Sequence, residues 1–146
     1  MRIDETTARH LLERNDHGVL LTVHPRHGAD GVPVVFAVTD EHLAVPVDLV
    51  KPKASTSLQR ERNLGADPRA TLLIDHWDAH DWSRLWWVRA RLRWVDGSSI
   101  AVQEALAAGL AERYEPYADR PFARLLVFHV ESVTGWAASG DAIAAV

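Results

Sequence analysis

The side chains best suited to chemistry are concentrated in one short basic stretch, residues 51–69. This stretch holds five cationic side chains against Glu61 and Asp67, a local charge of 5 − 2 = +3. Because the whole chain has a formal net charge of −4, the remainder carries −4 − 3 = −7. A basic island in an acidic protein favours a small anionic ligand over a polyanion such as nucleic acid. The five cations are Lys51, Lys53, Arg60, Arg62 and Arg69.

The position of this basic stretch indicates a phosphate site. A β-branched strand precedes it, and residues 54–64 then predict a helix whose start carries hydroxyl side chains of the N-cap type, Ser55, Thr56 and Ser57. A helix start offers free N–H groups and the positive end of a dipole, which suit a phosphate. Lys51 and Lys53 add point charges, and Arg60 can bind two oxygens at once. The alternative is an ordinary capped helix with a solvated basic face.

Aromatic and imidazole side chains provide weaker signals. The adjacent Trp86 and Trp87 lie in a predicted strand and must face opposite sides of it. Most of the six tryptophans are expected in the core or at an interface. His76 and His80 are four residues apart among carboxylates, but their segment is predicted as a loop and no third ligand has a recognisable spacing. We therefore predict no metal site.

Common catalytic motifs do not occur in the chain. It contains no cysteine, no glycine-rich phosphate loop, no nucleophile elbow and no zinc-binding helix motif. No catalytic side chain can be assigned from the sequence. An enzyme of this composition would rely on a cofactor for the difficult chemistry.

The elements that must position the basic stretch follow the order α-β-β-β-α-β-β-α-β. Six strands without βαβ alternation predict a mainly β, antiparallel barrel, closed on itself and covered by helices, in a single domain of residues 1–146. Residues 25–31 are predicted as a loop, and no element is predicted after Gly140. The predicted helices are residues 4–14, 54–64 and 100–114, and the predicted strands are residues 17–24, 32–38, 42–47, 69–75, 85–95 and 124–136.

Several segments together match one family pattern. The most specific lie between residues 47 and 89, and the matching segments are Gly18–Thr22, Val32–Phe36, Val47–Lys53, Leu58–Leu64, Asp67–Arg69 leading into Leu72–Asp75, and Asp81–Arg89. With these segments the chain resembles the pyridoxamine 5'-phosphate oxidase-like, FMN-binding split-barrel superfamily. Within it, the chain is most similar to the actinobacterial branch of F420-dependent oxidoreductases. Gly31 departs from the pattern, because many relatives have a polar residue there.

This resemblance implies a six-stranded split β-barrel that forms a homodimer, with cofactor sites at the subunit interface. It implies that the cofactor ring lies along the backbone near residues 33–35. It also implies that Trp82 or Trp136 of the other subunit closes over the ring. The implied cofactor-binding residues are Lys51, Lys53, Ser57, Arg60, Arg62, Asn63 and Trp82.

The function implied by the resemblance is hydride transfer between reduced coenzyme F420 and a small organic acceptor. The alternatives are an FMN-dependent oxidoreductase of the pyridoxamine-phosphate-oxidase type and a non-catalytic carrier of F420, FMN or haem. Residues 1–15 lack the apolar core of a signal peptide, and no apolar run approaches the roughly 18 residues of a membrane span. We therefore expect a cytoplasmic protein whose partners are itself and a small-molecule substrate, without nucleic acid or membrane.

Overall fold

The computed structural model describes residues 1–50 and 58–144 of the protein. Its eight strands are β1 (Arg2–Ile3), β2 (Gly18–His24), β3 (Gly28–Val34), β4 (Ala37–Val38), β5 (His42–Asp48), β6 (Arg69–His76), β7 (Trp86–Trp94) and β8 (Phe122–Ala137). Its helices are α1 (Glu5–Arg14), α2 (Gln59–Ala66), α3 (Ile100–Arg113) and α4 (Gly140–Ala144). Two short 3₁₀ helices span Trp82–Arg84 and Glu115–Tyr117.

All strand pairs are antiparallel, in the order β3-β2-β6-β7-β8-β5-β4, with β1 added on β8. The two ends of this path, β3 and β4, are consecutive in the chain and separated only by Val35 and Phe36. A linker of this length spans roughly 10 Å at most, so the sheet must curl until its two ends meet. The mainly β, antiparallel architecture with flanking helices is confirmed. The prediction of a closed sheet is wrong, because β3 and β4 are joined by the chain and not by a ladder.

The predicted number of six strands is also wrong. The predicted strand 32–38 is two strands, because the chain turns at Val35 and Phe36 from one end of the sheet to the other. The predicted loop 25–31 is a strand from Gly28 onward, and Gly28 adopts a φ of 80° at the turn that starts it. The two-residue strand β1 is too short for a periodic signal. Residues after Gly140 form α4, an element that the sequence analysis did not predict.

The core lies inside the curled sheet, and helices cover its two ends. In β2, β6 and β7 the even-numbered residues face inward, as the burial alternation shows. Helix α1 begins at Asp4, whose carboxylate accepts the Thr7 N–H at 2.7 Å, and it buries Leu11 and Leu12 in this core. Helix α2 packs against the other end of β2 and contributes Leu64.

Helix α3 covers the outer face of only one part of the sheet. Its Leu106 and Leu110 pack on Ala44, Val127 and Ala37 of the strands at the β5 end, so β5 is buried on both faces. No helix within residues 1–50 and 58–144 covers the outer face of β2, β6, β7 and the second half of β8 in this way. That uncovered face carries the odd-numbered side chains of β2, β6 and β7, and most of them are partly exposed.

Candidate functional site

Helix α2 starts later than the sequence suggested. Its N-cap residue is Leu58, in extended conformation, and no described side chain caps it. The described helix begins at Gln59, whereas residue 54 was predicted as its start, and the predicted Ser55–Ser57 cap lies outside the described residues. Lys51, Lys53 and Ser57 lie outside the described residues, and their assignment to a cofactor stays a prediction.

Arg60, in the first turn of α2, is half-buried and lies close enough to Asp48 and Tyr117 to interact electrostatically with both. Its Nε atom is buried and has no hydrogen-bond partner among the described residues. Burial lowers the pKa of Arg60, while the charges of Glu61 and Asp48 raise it again. The guanidinium stays charged, and its buried N–H is available for an anionic acceptor.

The carboxylate beside Arg60 belongs to Asp48, which is 2% exposed at the end of β5. The Tyr117 hydroxyl donates to Asp48 Oδ2 at 2.6 Å, and the Val50 N–H donates to Oδ1 at 3.1 Å. Burial, together with the Asp48 carboxylate, raises the pKa of Tyr117, so the hydroxyl keeps its proton. Buried charges persist only when they are paired and hydrogen-bonded, and Asp48 meets this condition.

The other cations around α2 lie on its solvent side. Arg62 donates through Nη2 to Gln59 Oε1 at 2.8 Å and is exposed. Arg124 of β8 forms a two-point ion pair with Glu61, through Nε at 2.7 Å and through Nη2. The predicted basic face of α2 is therefore partly neutralised by its own surroundings.

Asn63 has a structural position inside the protein. It is fully buried, and its Nδ2 donates to Thr22 Oγ1 and to Asp30 Oδ2, both at 3.0 Å. Its Oδ1 accepts from Gln59 Nε2 at 2.9 Å. Both amide donors are thus used to fix α2 on the β2–β3 hairpin. Contact between Asn63 and a cofactor stays a prediction.

The uncovered outer face of the sheet contains an open recess. We call it the outer cleft. It has a volume of about 670 Å³ and opens to solvent. Its apolar lining includes Leu21 and Leu73, and its cationic lining consists of Arg69, Arg89 and Arg91. A recess of this size, apolar with a few convergent polar groups, is typical of a small-molecule site.

The three arginines differ in their partners. Arg69 forms an ion pair with Asp67, Nη2 to Oδ2 at 2.6 Å, and this pair holds the pKa of Asp67 at about 2. Arg91 Nη1 donates to Thr71 Oγ1 at 2.9 Å. Arg89 places its guanidinium carbon 5.0 Å from the centre of the Trp87 ring, and its buried Nε has no partner among the described residues. Arg89 and Arg91 form no ion pair within the described residues.

The register across the sheet explains how the outer cleft forms. Val19 pairs with Leu73, and Leu73 pairs with Arg89, so the three side chains form one row across the outer face. Pro33, at the expected ring position, extends this row because it pairs with Val19. The sequence analysis assigned no site to Arg89 and Arg91. In the sequence, these arginines alternate with apolar residues along β7. This alternation indicates that one face of the strand is solvated, but it does not show which residues of other strands lie beside the arginines.

The tryptophans divide as the strand period requires. Trp86 is buried and Trp87 lies on the outer face, which confirms the prediction that they face opposite sides. Trp82 is 68% exposed, and its ring centre lies 6.4 Å from that of Trp77, which is also exposed. Trp136 pairs with Trp87 across β7 and β8 and is partly exposed. Trp82 contacts no part of the outer cleft within this single subunit.

Neither a metal-binding cluster nor a membrane-spanning helix is found among the described residues. Within residues 1–50 and 58–144, no group of three or more histidine, aspartate or glutamate side chains is placed to hold a metal ion. In the same part of the chain, no helix has both the length and the apolar character needed to cross a membrane.

Comparison with known proteins establishes the fold. No protein-family model matches the chain, and no curated protein sequence matches it. Among solved structures, an FAD-binding protein from Mesorhizobium loti matches with a TM-score of 0.63 at 17% identity, over 92% of this chain and 93% of that one.

Two further matches belong to proteins with other described functions. An F420 reductase matches with a TM-score of 0.59 at 22% identity, over 86% of this chain and 94% of that one. The haem storage protein HutZ from Vibrio cholerae matches with a TM-score of 0.62 at 14% identity, over 88% and 89%. At these identities the likeness concerns architecture alone, and this chain shares the antiparallel, helix-flanked fold of these three structures.

Proposed function

We propose that this protein binds coenzyme F420 and transfers a hydride between reduced F420 and a small organic acceptor. The observation that carries this proposal is the outer cleft, where Arg89 and Arg91, which form no ion pair within the described residues, border an apolar surface. A planar ring system packs well on aliphatic side chains such as Leu21 and Leu73. Phosphate and carboxylate groups are bound well by guanidinium groups. F420 combines a planar ring with a phosphate and an acidic tail, so it matches both parts of the cleft.

Two buried guanidinium nitrogens without a partner among the described residues show whether the protein suits such a cofactor. Arg60 and Arg89 each have an Nε donor that lacks an acceptor among the described residues. Leaving a buried donor unpaired costs free energy, about 1–3 kcal/mol for each group. An anionic ligand oxygen at either position removes this cost. Both arginines therefore suit a ligand with more than one anionic group.

The protein's own residues would bind and orient the cofactor. Arg89 and Arg91 would hold anionic groups at the cleft, and Arg60, with Lys51, Lys53 and Ser57, would hold the phosphate near α2. Asp48 and Tyr117 would fix Arg60 in place. When bound, reduced F420 supplies the hydride, so no side chain of this chain needs to act as a nucleophile.

We propose further that the site is completed by a second copy of the chain. The outer face carries Val19, Leu73 and Trp87 with no helix over them, and aromatic side chains are enriched in subunit interfaces. Pairing two such faces would bury these side chains and exclude water from the ring. Trp82 and Trp136 would then contribute from the partner subunit. Sedimentation velocity at micromolar concentration tests this, with a dimer expected and a monomer contradicting it.

Two other functions are supported by specific observations. A structural neighbour described as FAD-binding favours an FMN or other flavin oxidoreductase in the same cleft. The neighbour described as a haem storage protein favours a carrier without catalysis. All three cofactors are planar and anionic, and the cleft itself has features that suit each of them.

The deciding experiment is a titration of the purified protein with F420, FMN and haem, followed by tryptophan fluorescence. We expect micromolar binding of F420, with weaker binding of FMN and haem. Tight binding of FMN or haem together with no binding of F420 would overturn the proposal. Oxidation of reduced F420 by a panel of quinone and enone acceptors then separates an enzyme from a carrier.

Matched variants locate the site. Arg89→Gln and Arg60→Ala are each expected to weaken F420 binding by about 1.5–3 kcal/mol, because each removes a charge-assisted hydrogen bond. Arg9→Gln is the control, because Arg9 pairs with Glu5 on α1 and lies outside the outer cleft. Unchanged affinity in both site variants would place the cofactor elsewhere.

A further inference from the structure

A second cavity lies at the end of the barrel away from α2. We call it the end cavity. It has a volume of about 370 Å³ and lies where α1, α4 and the 3₁₀ helix Trp82–Arg84 meet the start of β7. The residues that matter here are the apolar Leu11, Trp86 and Ala142 and the polar Arg14, His76 and Arg84. Its volume is at the lower end of small-molecule sites, so it suits a compact ligand.

Trp86 forms a rigid aromatic wall of the end cavity. It is one of the lining residues and is only 4% exposed. The Trp86 ring is held in place from one side by His76, whose ring is stacked at 6.1 Å and 21°. The Trp86 Nε1–H is closed to solvent and has no acceptor among the described residues, so this donor does not face the open part of the cavity. Trp86 therefore offers a bound ligand an apolar ring surface and not a hydrogen bond.

The charges around the end cavity favour an anionic ligand. Arg14 and Arg84 line it with one carboxylate, Asp75, which gives a formal charge of 2 − 1 = +1 with neutral histidines. Arg84 and Arg14 form no ion pair within the described residues, and Arg14 Nη1 lies 3.3 Å from His10 Nε2. The local positive charge of the end cavity attracts anions, although the chain as a whole, with a net charge of −4, repels them.

We propose that the end cavity binds a small organic carboxylate with an apolar body. Leu11, Ala142 and the face of Trp86 would contact the apolar body. The carboxylate would accept from the guanidinium groups of Arg14 and Arg84. Inorganic phosphate fits less well, because three of the lining residues are apolar and would gain nothing from it. A dinucleotide or a deazaflavin is too large for this volume.

This site is separate from the proposed cofactor site. His17, just before β2, lines the end cavity, whereas Thr22, near the end of β2, lines the outer cleft and contacts Asn63. Asp75 is at the end of β6 and adjoins the outer face, so the two sites are neighbours around the rim of the sheet. The inference does not rest on F420 binding, and either proposal can fail without the other.

The test uses benzoate as the probe and the indole N–H resonances of the full chain in ¹H–¹⁵N NMR. Six tryptophans give six resonances, and Trp86→Phe identifies the one that belongs to Trp86. We expect benzoate to shift the Trp86 resonance in a saturable way, with a dissociation constant of about 1 mM or below. Benzyl alcohol, matched in shape but uncharged, and sodium chloride at equal ionic strength are expected to leave it unshifted.

Variants complete the test. Arg14→Gln and Arg84→Gln are each expected to weaken benzoate binding about tenfold, as loss of one charge-assisted contact predicts. Both residues are exposed, so the fold should persist. Arg9→Gln is the control, because Arg9 lies on α1 but does not line the end cavity, and this variant should bind benzoate as the parent does. A shift that does not saturate, an equal shift with benzyl alcohol, or parental affinity in both arginine variants would overturn the proposal.

Discussion

Replacing Asn63 by alanine tests whether one buried amide holds α2 on the sheet. The amide donates to Thr22 Oγ1 and Asp30 Oδ2, both at 3.0 Å, and its oxygen accepts from Gln59. Asn63→Ala removes all three bonds. It also leaves the Thr22 hydroxyl, which is itself buried, without this partner.

The expected cost follows from the kind of each bond. A neutral buried bond such as that to Thr22 contributes about 0.5–1.5 kcal/mol, and a bond to a carboxylate such as Asp30 about 1.5–3 kcal/mol. Asp30 is partly exposed, so the lower end of the second range applies. The bond from the exposed Gln59 adds little. Asn63→Ala should therefore lower the free energy of unfolding by about 2–4 kcal/mol.

Urea unfolding followed by tryptophan fluorescence measures this change. Gln59→Ala is the matched control, because it removes the bond to Asn63 Oδ1 together with the exposed bonds from Arg62 and should cost less than about 0.5 kcal/mol. Asn63→Asp adds a second readout, since it sets a new carboxyl group against Asp30 and should destabilise more at pH 7 than at pH 4. A free energy of unfolding for Asn63→Ala within about 0.5 kcal/mol of the parent would refute the reasoning.

Three further predictions concern α2 and its surroundings. Gly65→Ala should raise the free energy of unfolding by about 0.4–1 kcal/mol in urea titrations, because Gly65 is helical and an added Cβ meets nothing within 4 Å; a loss of stability would contradict this. Tyr117→Phe should lower the free energy of unfolding by about 1–3 kcal/mol in the same assay, because the Tyr117 hydroxyl no longer donates to the buried Asp48 Oδ2. An unchanged free energy of unfolding would show that this hydrogen bond contributes nothing. The Asp67 carboxyl should titrate in NMR near its folded pKa of about 2 instead of its ordinary 3.8, because Arg69 favours its charged form. Because the pKa of Asp67 is lower in the folded state, the contribution of the Asp67 carboxylate to stability is complete above pH 3.8 and is lost as the pH falls towards 2. Asp67→Asn should remove this pH dependence of the stability. A measured pKa of 3.8 for Asp67 in the folded protein would contradict the prediction.

The parts of the fold that the sequence predicted are those with a local physical cause. The predicted helices 4–14 and 100–114 match α1 and α3 to within one residue at each end, and Asp4 and Ser99 cap them by accepting a backbone N–H three residues later. The opposite faces of Trp86 and Trp87 follow from the two-residue period of a strand. Each of these features depends only on neighbours within a few residues.

The parts that the sequence did not predict depend on distant residues. Nothing local shows that β3 and β4 are separate strands, because the break at Val35 and Phe36 arises when the chain passes from one end of the sheet to the other. The arginines of β7 became site candidates only when the pairing placed Arg89 beside Leu73 of β6. The burial of Asn63 likewise depends on Thr22, 41 positions earlier in the chain.

The irregularity between Arg91 and Leu92 has a consequence for how this chain tolerates change. There β8 contains one extra residue, because Arg91 pairs with Ser132 and Leu92 with Val130, which leaves Glu131 without a partner in the register. Before this bulge the even-numbered Phe128 faces the core, and after it the odd-numbered Val133 does. Deleting Glu131 would leave Val130 and Val133 facing the core with only Ser132 between them, so the regular alternation of the strand would be restored and the bulge lost. A deletion away from the bulge would instead exchange core and surface side chains in one half of β8. The bulge is therefore a point where β8 can lose a residue without losing its core face.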